Sequence, residues 1–142
     1  MTDAQAAAPA GLTPEAVQFA HRMFNAARTG DEVLLEALDA GLPVDLTNDE
    51  GNTLLMLATY AGHAALTRGL LTRGADANRT NDRGQSPLAG AVFKGHDEVV
   101  YALLEHGADP NGGTPSALAT AEMFGRKELA EKLKAKAGET ST

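Results

Sequence analysis

Glycine returns through the middle of the chain at a fixed interval of 33 residues: Gly51 and Gly84, Gly62 and Gly95, Gly74 and Gly107. The text around these glycines returns with them. Gly74-Ala75-Asp76-Ala77-Asn78 reappears as Gly107-Ala108-Asp109-Pro110-Asn111, Gly62-His63 as Gly95-His96, and Leu70-Leu71 as Leu103-Leu104. Three independent matches at one spacing mark a chain built from stacked copies of one small unit. Such a unit cannot bury its apolar face alone, so each copy must pack on its neighbours.

Within one unit the spacing predicts a helix from about Thr53 to Ala61, ended at Gly62, where a residue without Cβ turns the chain at least cost. A second helix is predicted over about Ala64 to Thr72. Its Leu66, Leu70 and Leu71 lie on one apolar face, and Gly74 caps it. The stretch from Ala75 to Gln85 is rich in Gly, Asp and Asn and reads as an exposed turn.

The run Asn48-Asp49-Glu50-Gly51-Asn52-Thr53-Leu54-Leu55-Met56-Leu57-Ala58, followed by Gly62-His63 and Gly74-Ala75-Asp76-Ala77-Asn78, resembles an ankyrin repeat. The likeness extends over roughly residues 18 to 135. It implies an all-α solenoid of four helix-turn-helix repeats joined by short β-turns, at about 14–46, 47–79, 80–111 and 112–137, with the terminal repeats as caps. Residues 1–12 are expected to be a disordered N-terminal segment and 138–142 a flexible tail.

Departures from the family pattern carry their own expectations. The Thr-Pro-Leu-His segment reads Thr53-Leu54-Leu55-Met56, Ser86-Pro87-Leu88-Ala89 and Ser116-Ala117-Leu118-Ala119. None keeps the His that ties neighbouring turns together in the family, so looser coupling between turns is expected, or substitute packing by Met56. In the first unit His21-Arg22-Met23-Phe24 stands at the signature, and the turn after Gly30 is expected to be one residue short. Thr13-Pro14-Glu15 opens an extended helix there, with a hydroxyl cap, an early Pro and an acid in the first turn. Val17, Phe19 and Met23 are expected to cover that end of the stack.

The last unit is three residues short between Gly95 and Gly125, most simply in the turn from Asn111 to Ser116. Its Leu129 and Leu133 match Val99 and Leu103, but Lys134 replaces Leu104. With Lys127, Lys132 and Lys136 it makes the polar outer face that a terminal repeat needs. On this reading the chain is expected to be a complete, capped, four-repeat protein.

Composition narrows the function. Among 142 residues, 43% are hydrophobic, 22% are charged and only 4% are aromatic. That is a globular balance whose core rests on Leu, Ala, Val and Met. A net charge of −7 argues against nucleic acid, which needs a basic face. No cysteine is present, so thiolate catalysis, disulfides and cysteine metal sites are excluded. No signal-like or membrane-spanning stretch is seen, and a cytoplasmic location is expected.

Function must then sit where the fold leaves residues free. The helix positions before the turn glycines read Arg28-Thr29, Tyr60-Ala61, Phe93-Lys94 and Met123-Phe124. Stacking is expected to bring Arg28, Tyr60, Phe93 and Met123 into one row on the concave face, either as interface anchors or as mutual packing that stiffens the scaffold. The turn tips offer a polar rim, Asp49, Glu50 and Asn52 in one and Arg79, Asp82, Arg83 and Gln85 in the next. A change of sign along that rim could orient a partner.

Catalytic readings fail on chemistry. His63 and His96 lie one repeat apart, about 10 Å, too far to share one metal ion. His106 precedes a helix-ending glycine, and His21 stands alone. Thr53, Ser86 and Ser116 read as helix caps. Gly112-Gly113 lacks the Lys-Ser/Thr of a phosphate loop. The leading expectation is a non-enzymatic module without cofactor, a monomer on its own, that binds an unidentified protein and neither nucleic acid nor membrane. The contacts would come from Arg28, Asp49, Glu50, Asn52, Tyr60, Asp82, Arg83, Gln85, Phe93, Lys94, Met123 and Phe124. A self-associating structural subunit, or a small-molecule or metal binder, are the alternatives.

Overall fold

A computed structural model describes residues 13–140. The expected N-terminal segment 1–12 and residues 141–142 lie outside the described residues. The chain forms eight described helices in four pairs: α1 (Pro14–Thr29) with α2 (Val33–Asp39), α3 (Leu54–Ala61) with α4 (Ala64–Thr72), α5 (Pro87–Lys94) with α6 (Asp97–Glu105), and α7 (Ala117–Met123) with α8 (Lys127–Thr140). The first helices of the pairs stack as one layer, α1 on α3, α3 on α5 and α5 on α7, and α4 and α6 pack in the outer layer.

Each inner helix starts and stops for local reasons. The hydroxyls of Thr13, Thr53, Ser86 and Ser116 accept hydrogen bonds from the backbone N–H three residues on, at 3.0–3.1 Å. Gly62 ends α3 at φ +87°, and its N–H donates back to the carbonyls of Ala58 and Thr59. Four residues before each turn glycine stands an alanine, Ala26, Ala58, Ala91 and Ala121, each at most 5% exposed. A methyl group at that level lets neighbouring inner helices approach closely. The inter-layer core is leucine and valine: Leu54, Leu55 and Leu88 meet Leu66, Leu70, Val99, Leu103 and Leu133, all nearly solvent-free.

The repeats are tied together polar group by polar group. His63 sets its Nε2 2.8 Å from the Arg28 carbonyl, and His96 its Nε2 3.2 Å from that of Tyr60. A Cβ on Gly30 or Gly62 would stand within 3 Å of these rings, so each turn glycine also makes room for the next repeat's imidazole. Asp76 and Asp109 brace Asn78 and Asn111, while Asn78 donates to the Gly107 carbonyl and accepts from the Asp109 N–H. In the outer layer Arg73 grips Asp39 with two bonds of 2.9 and 3.0 Å, and Arg126 grips Asp97 at 2.9 and 3.1 Å. These bonds hold both carboxylates below the ordinary aspartate pKa.

Several expectations need correction. Coupling between turns is not loose. The Asp82 N–H donates to the Glu50 carbonyl at 3.1 Å, the Thr114 N–H to that of Gly84 at 2.9 Å, and Asn81 Nδ2 to Asn52 Oδ1 at 2.9 Å. Asn81 and the backbone thus take over the tie expected of the missing His, and Met56 is buried as well. The turn after Gly30 is not short: α2 has 7 residues against 9 in α4, and the turn leading into it is one residue longer, which leaves the net deficit of one in the helix. At the N-terminal end Met23 is buried, but Phe19 is 37% exposed beneath the Arg22 guanidinium, and Phe24 is the aromatic that fills the core. The last helix runs three residues past 137, through Gly138, to Thr140. The shortened turn before Ser116 is present as expected, a loop of 106–116.

Candidate functional site

The inner face of α3, α5 and α7 differs from the rest of the molecule in charge. These three helices carry only Lys94 and Glu122 as charged residues. Glu122 is turned to Lys134 of α8 at 3.6 Å. What remains is an apolar surface: Tyr60 is 39% exposed, Phe93 57%, Met123 66% and Phe124 52%.

Two contacts join members of the expected row to the position just before the next turn glycine. The side chain two residues before one turn glycine meets the side chain one residue before the next. Lys94 Nζ stands 5.2 Å from the centre of the Tyr60 ring, and the Phe124 ring lies 5.6 Å from that of Phe93, tilted by 46°. One geometry therefore gives a cation on a ring in the middle of the stack and a ring on a ring at its C-terminal end. Met123 extends the patch beyond Phe93. Arg28 is exposed at the other end, its carbonyl engaged by His63. Tyr60 is partly scaffold as well, since its ring occupies the space a Cβ on Gly90 would need, 2.8 Å from Cδ1.

The rim is more engaged than exposed tips would be. Asn52 and Gln85 are half-buried, and both oxygens accept from Asn81 Nδ2, at 2.9 and 2.7 Å. Arg83 pairs across the turns with Glu50 at 3.9 Å, so the change of sign along the rim is largely closed within the molecule. The Asp82 side chain packs over Gly51 of the neighbouring tip. Asp49, Arg79 and Asp82 are exposed.

Between face and rim the structure shows a cleft that sequence reasoning missed. About 220 Å³ in volume, it is floored by Met56, Ala89 and Gly90, walled by Tyr60 and Phe93, and closed at its far end by Pro115. A polar hollow of about 170 Å³ adjoins it, lined in part by Tyr60, Gln85, Glu50 and Arg83. The signal for the cleft was the three-residue deficit before Ser116, which leaves Thr114 and Pro115 as a low end wall.

Three of the four histidines, His63, His96 and His106, and the capping hydroxyls make structural hydrogen bonds, while the buried His21 Nδ1 has no hydrogen-bond partner. His106 Nδ1 lies 2.9 Å from the Ala102 carbonyl, and the helix-capping hydroxyls are occupied as described above. Among the described residues no group of three His, Cys, Asp or Glu side chains is placed to hold a metal ion, and no helix is long and apolar enough to cross a membrane.

Comparison with known proteins agrees with this architecture. The family described as ankyrin repeats, in three copies, matches residues 23–114. An ankyrin repeat protein of Pseudomonas aeruginosa is 47% identical over 58 residues, which is 40% of this chain and 34% of that protein. Ankyrin repeat domain-containing protein 29 of Homo sapiens is 44% identical over 61 residues, 42% of this chain and 20% of that protein, and its counterpart in Danio rerio is 41% identical over the same length. The matched stretch thus spans about a third of the bacterial relative and a fifth of the vertebrate ones.

Proposed function

Because the chain belongs to the ankyrin-repeat family, whose repeats generally serve as protein–protein interaction modules, we propose that it holds one partner protein against the inner face of α3, α5 and α7. The contacts come from Tyr60, Phe93, Lys94, Met123 and Phe124. Arg28 stands at the far end of the helix row, and the side chains of Asp49, Glu50, Asn52, Asp82, Arg83 and Gln85 form a polar rim that sets orientation. One observation carries the reading: a contiguous patch of large apolar side chains stands exposed on a face almost without charge, in a protein of net charge −7. Exposed apolar patches rimmed by polar groups mark interaction surfaces. The rim contributes specificity more than affinity, since exposed pairs such as Glu50–Arg83 are worth less than about 1 kcal/mol.

The role that follows is a non-catalytic adaptor or regulator, in the cytoplasm, where a chain without cysteines loses nothing to the reducing milieu. A photo-crosslinking phenylalanine analogue at position 93, with the same group at Glu128 on the outer helix as control, tests the assignment. A discrete adduct formed from position 93 alone supports the inner face. Adduct from position 128 alone moves the interface to the convex side and contradicts it.

A further inference from the structure

The cleft beside the aromatic patch allows the partner's chemistry to be specified, on the premise that the inner face is the interface. Small-molecule pockets run from about 300 to 1,000 Å³ and carry convergent polar groups. This cleft, at about 220 Å³, is smaller and lined mostly by carbon. It has room for one large side chain and little else. With no Cβ on Gly90, the Tyr60 ring lies close against α5 at that level and forms one wall of the cleft.

Charge selects what accompanies the anchor. Lys94 is the only cation on α3, α5 and α7, and its ammonium lies 5.2 Å from the centre of the Tyr60 ring, which forms one wall of the cleft. No carboxylate lines the cleft itself. A group reaching past Tyr60 into the cleft therefore passes the Lys94 ammonium, while the carboxylate of the adjoining hollow, Glu50, is already paired with Arg83.

We propose that the cleft receives one aromatic side chain from an extended segment of the partner protein, with an acidic residue next to it paired to Lys94. The full chain is to be panned against a displayed library of random dodecapeptides, and enriched peptides measured by fluorescence polarisation. The expected consensus is one Phe, Tyr or Trp with Asp or Glu within two positions. Ala89→Leu, which fills the floor at a buried position, and Thr114→Trp, an exposed change at the cleft's edge, should each weaken such peptides at least ten-fold, Thr114→Trp without lowering the melting temperature. Should Ala89→Leu unfold the chain, Thr114→Trp decides alone. Lys94→Glu should reverse the acidic preference. Enrichment without an aromatic, or full binding by Thr114→Trp, overturns the proposal. Peptides lost on Glu50 or Arg83 substitution but indifferent to Thr114→Trp overturn the cleft and leave the inner face as interface. No enrichment at all overturns the linear-segment idea, with the crosslink from position 93 still deciding the face.

Discussion

Gly90 and Tyr60 together show how one residue can be read only through its neighbour in the stack. Gly90 gives no sequence signal beyond a weak helix former inside α5, yet a Cβ there would meet Tyr60 Cδ1 at 2.8 Å. In a Tyr60→Ser background, Gly90→Ala should raise stability by about 1 kcal/mol, the ordinary helix-propensity gain. With Tyr60 present the gain should be lost, and urea melts of the four variants measure the coupling. Thr67 makes a second case. Its hydroxyl is fully buried without a hydrogen-bond partner, while the equivalent position one repeat later is Val100. Thr67→Val should therefore stabilise the protein by about 1 kcal/mol, since an unmade buried hydrogen bond is removed at constant shape. An unchanged or lower denaturation midpoint would show that the hydroxyl is satisfied in solution. At this scale the sequence exposed caps and turn glycines, whose signals are local. It hid Asn81, whose amide joins two turns, because the partner Asn52 lies a repeat away.

At the level of helices and turns, legibility followed the strength of the repeat. Helices α3 and α4 fall within a residue of the predicted bounds, because caps and apolar spacing agree there. The first pair deviates, since α2 gave up residues where the turn was expected to, and Phe24 rather than Phe19 fills the core. In the outer layer the Arg–Asp pairs Arg73–Asp39 and Arg126–Asp97 bridge successive repeats. Their hydrogen bonds depress both carboxyl pKa values in the folded state, so the stabilisation is present above the unfolded aspartate value, about 3.9, and is lost as pH falls through the lower folded values. Thermal melts from pH 6 to pH 2 should show a falling limb below about pH 4 that Asp97→Asn makes shallower. An identical acid limb in that variant would mean the pair contributes nothing. The cleft belongs to this scale too. The sequence showed that three residues were missing before Ser116, but not that their absence opens a hollow, because that depends on how Pro115 faces α5 across a repeat boundary.

Taken whole, the molecule is a short stack in which α3, α5 and α7 of the inner layer carry only Lys94 and Glu122 as charges, while the outer layer is charged. That division is the basis of the proposed one-sided interface. A second copy would cover the same patch, and hydrodynamics separates the two cases: without partner the protein should run as a monomer in size exclusion with light scattering across the micromolar range. A concentration-dependent dimer abolished by Phe93→Asp would assign the face to self-association. The whole-molecule reading was legible from the repeat alone, while the two contacts that join the row to the position before the next turn glycine were not, since they arise from the offset between successive helix ends. The most direct test of the central claim is the affinity of the partner crosslinked from position 93, measured by calorimetry for the unmodified chain and for Phe93→Ser, whose fold is first checked by circular dichroism and melting. Loss of a central aromatic anchor, about 2 kcal/mol or more, should weaken binding at least roughly thirty-fold with the melting temperature unchanged. Equal affinity for the folded variant would contradict the claim that the inner face is where this protein binds.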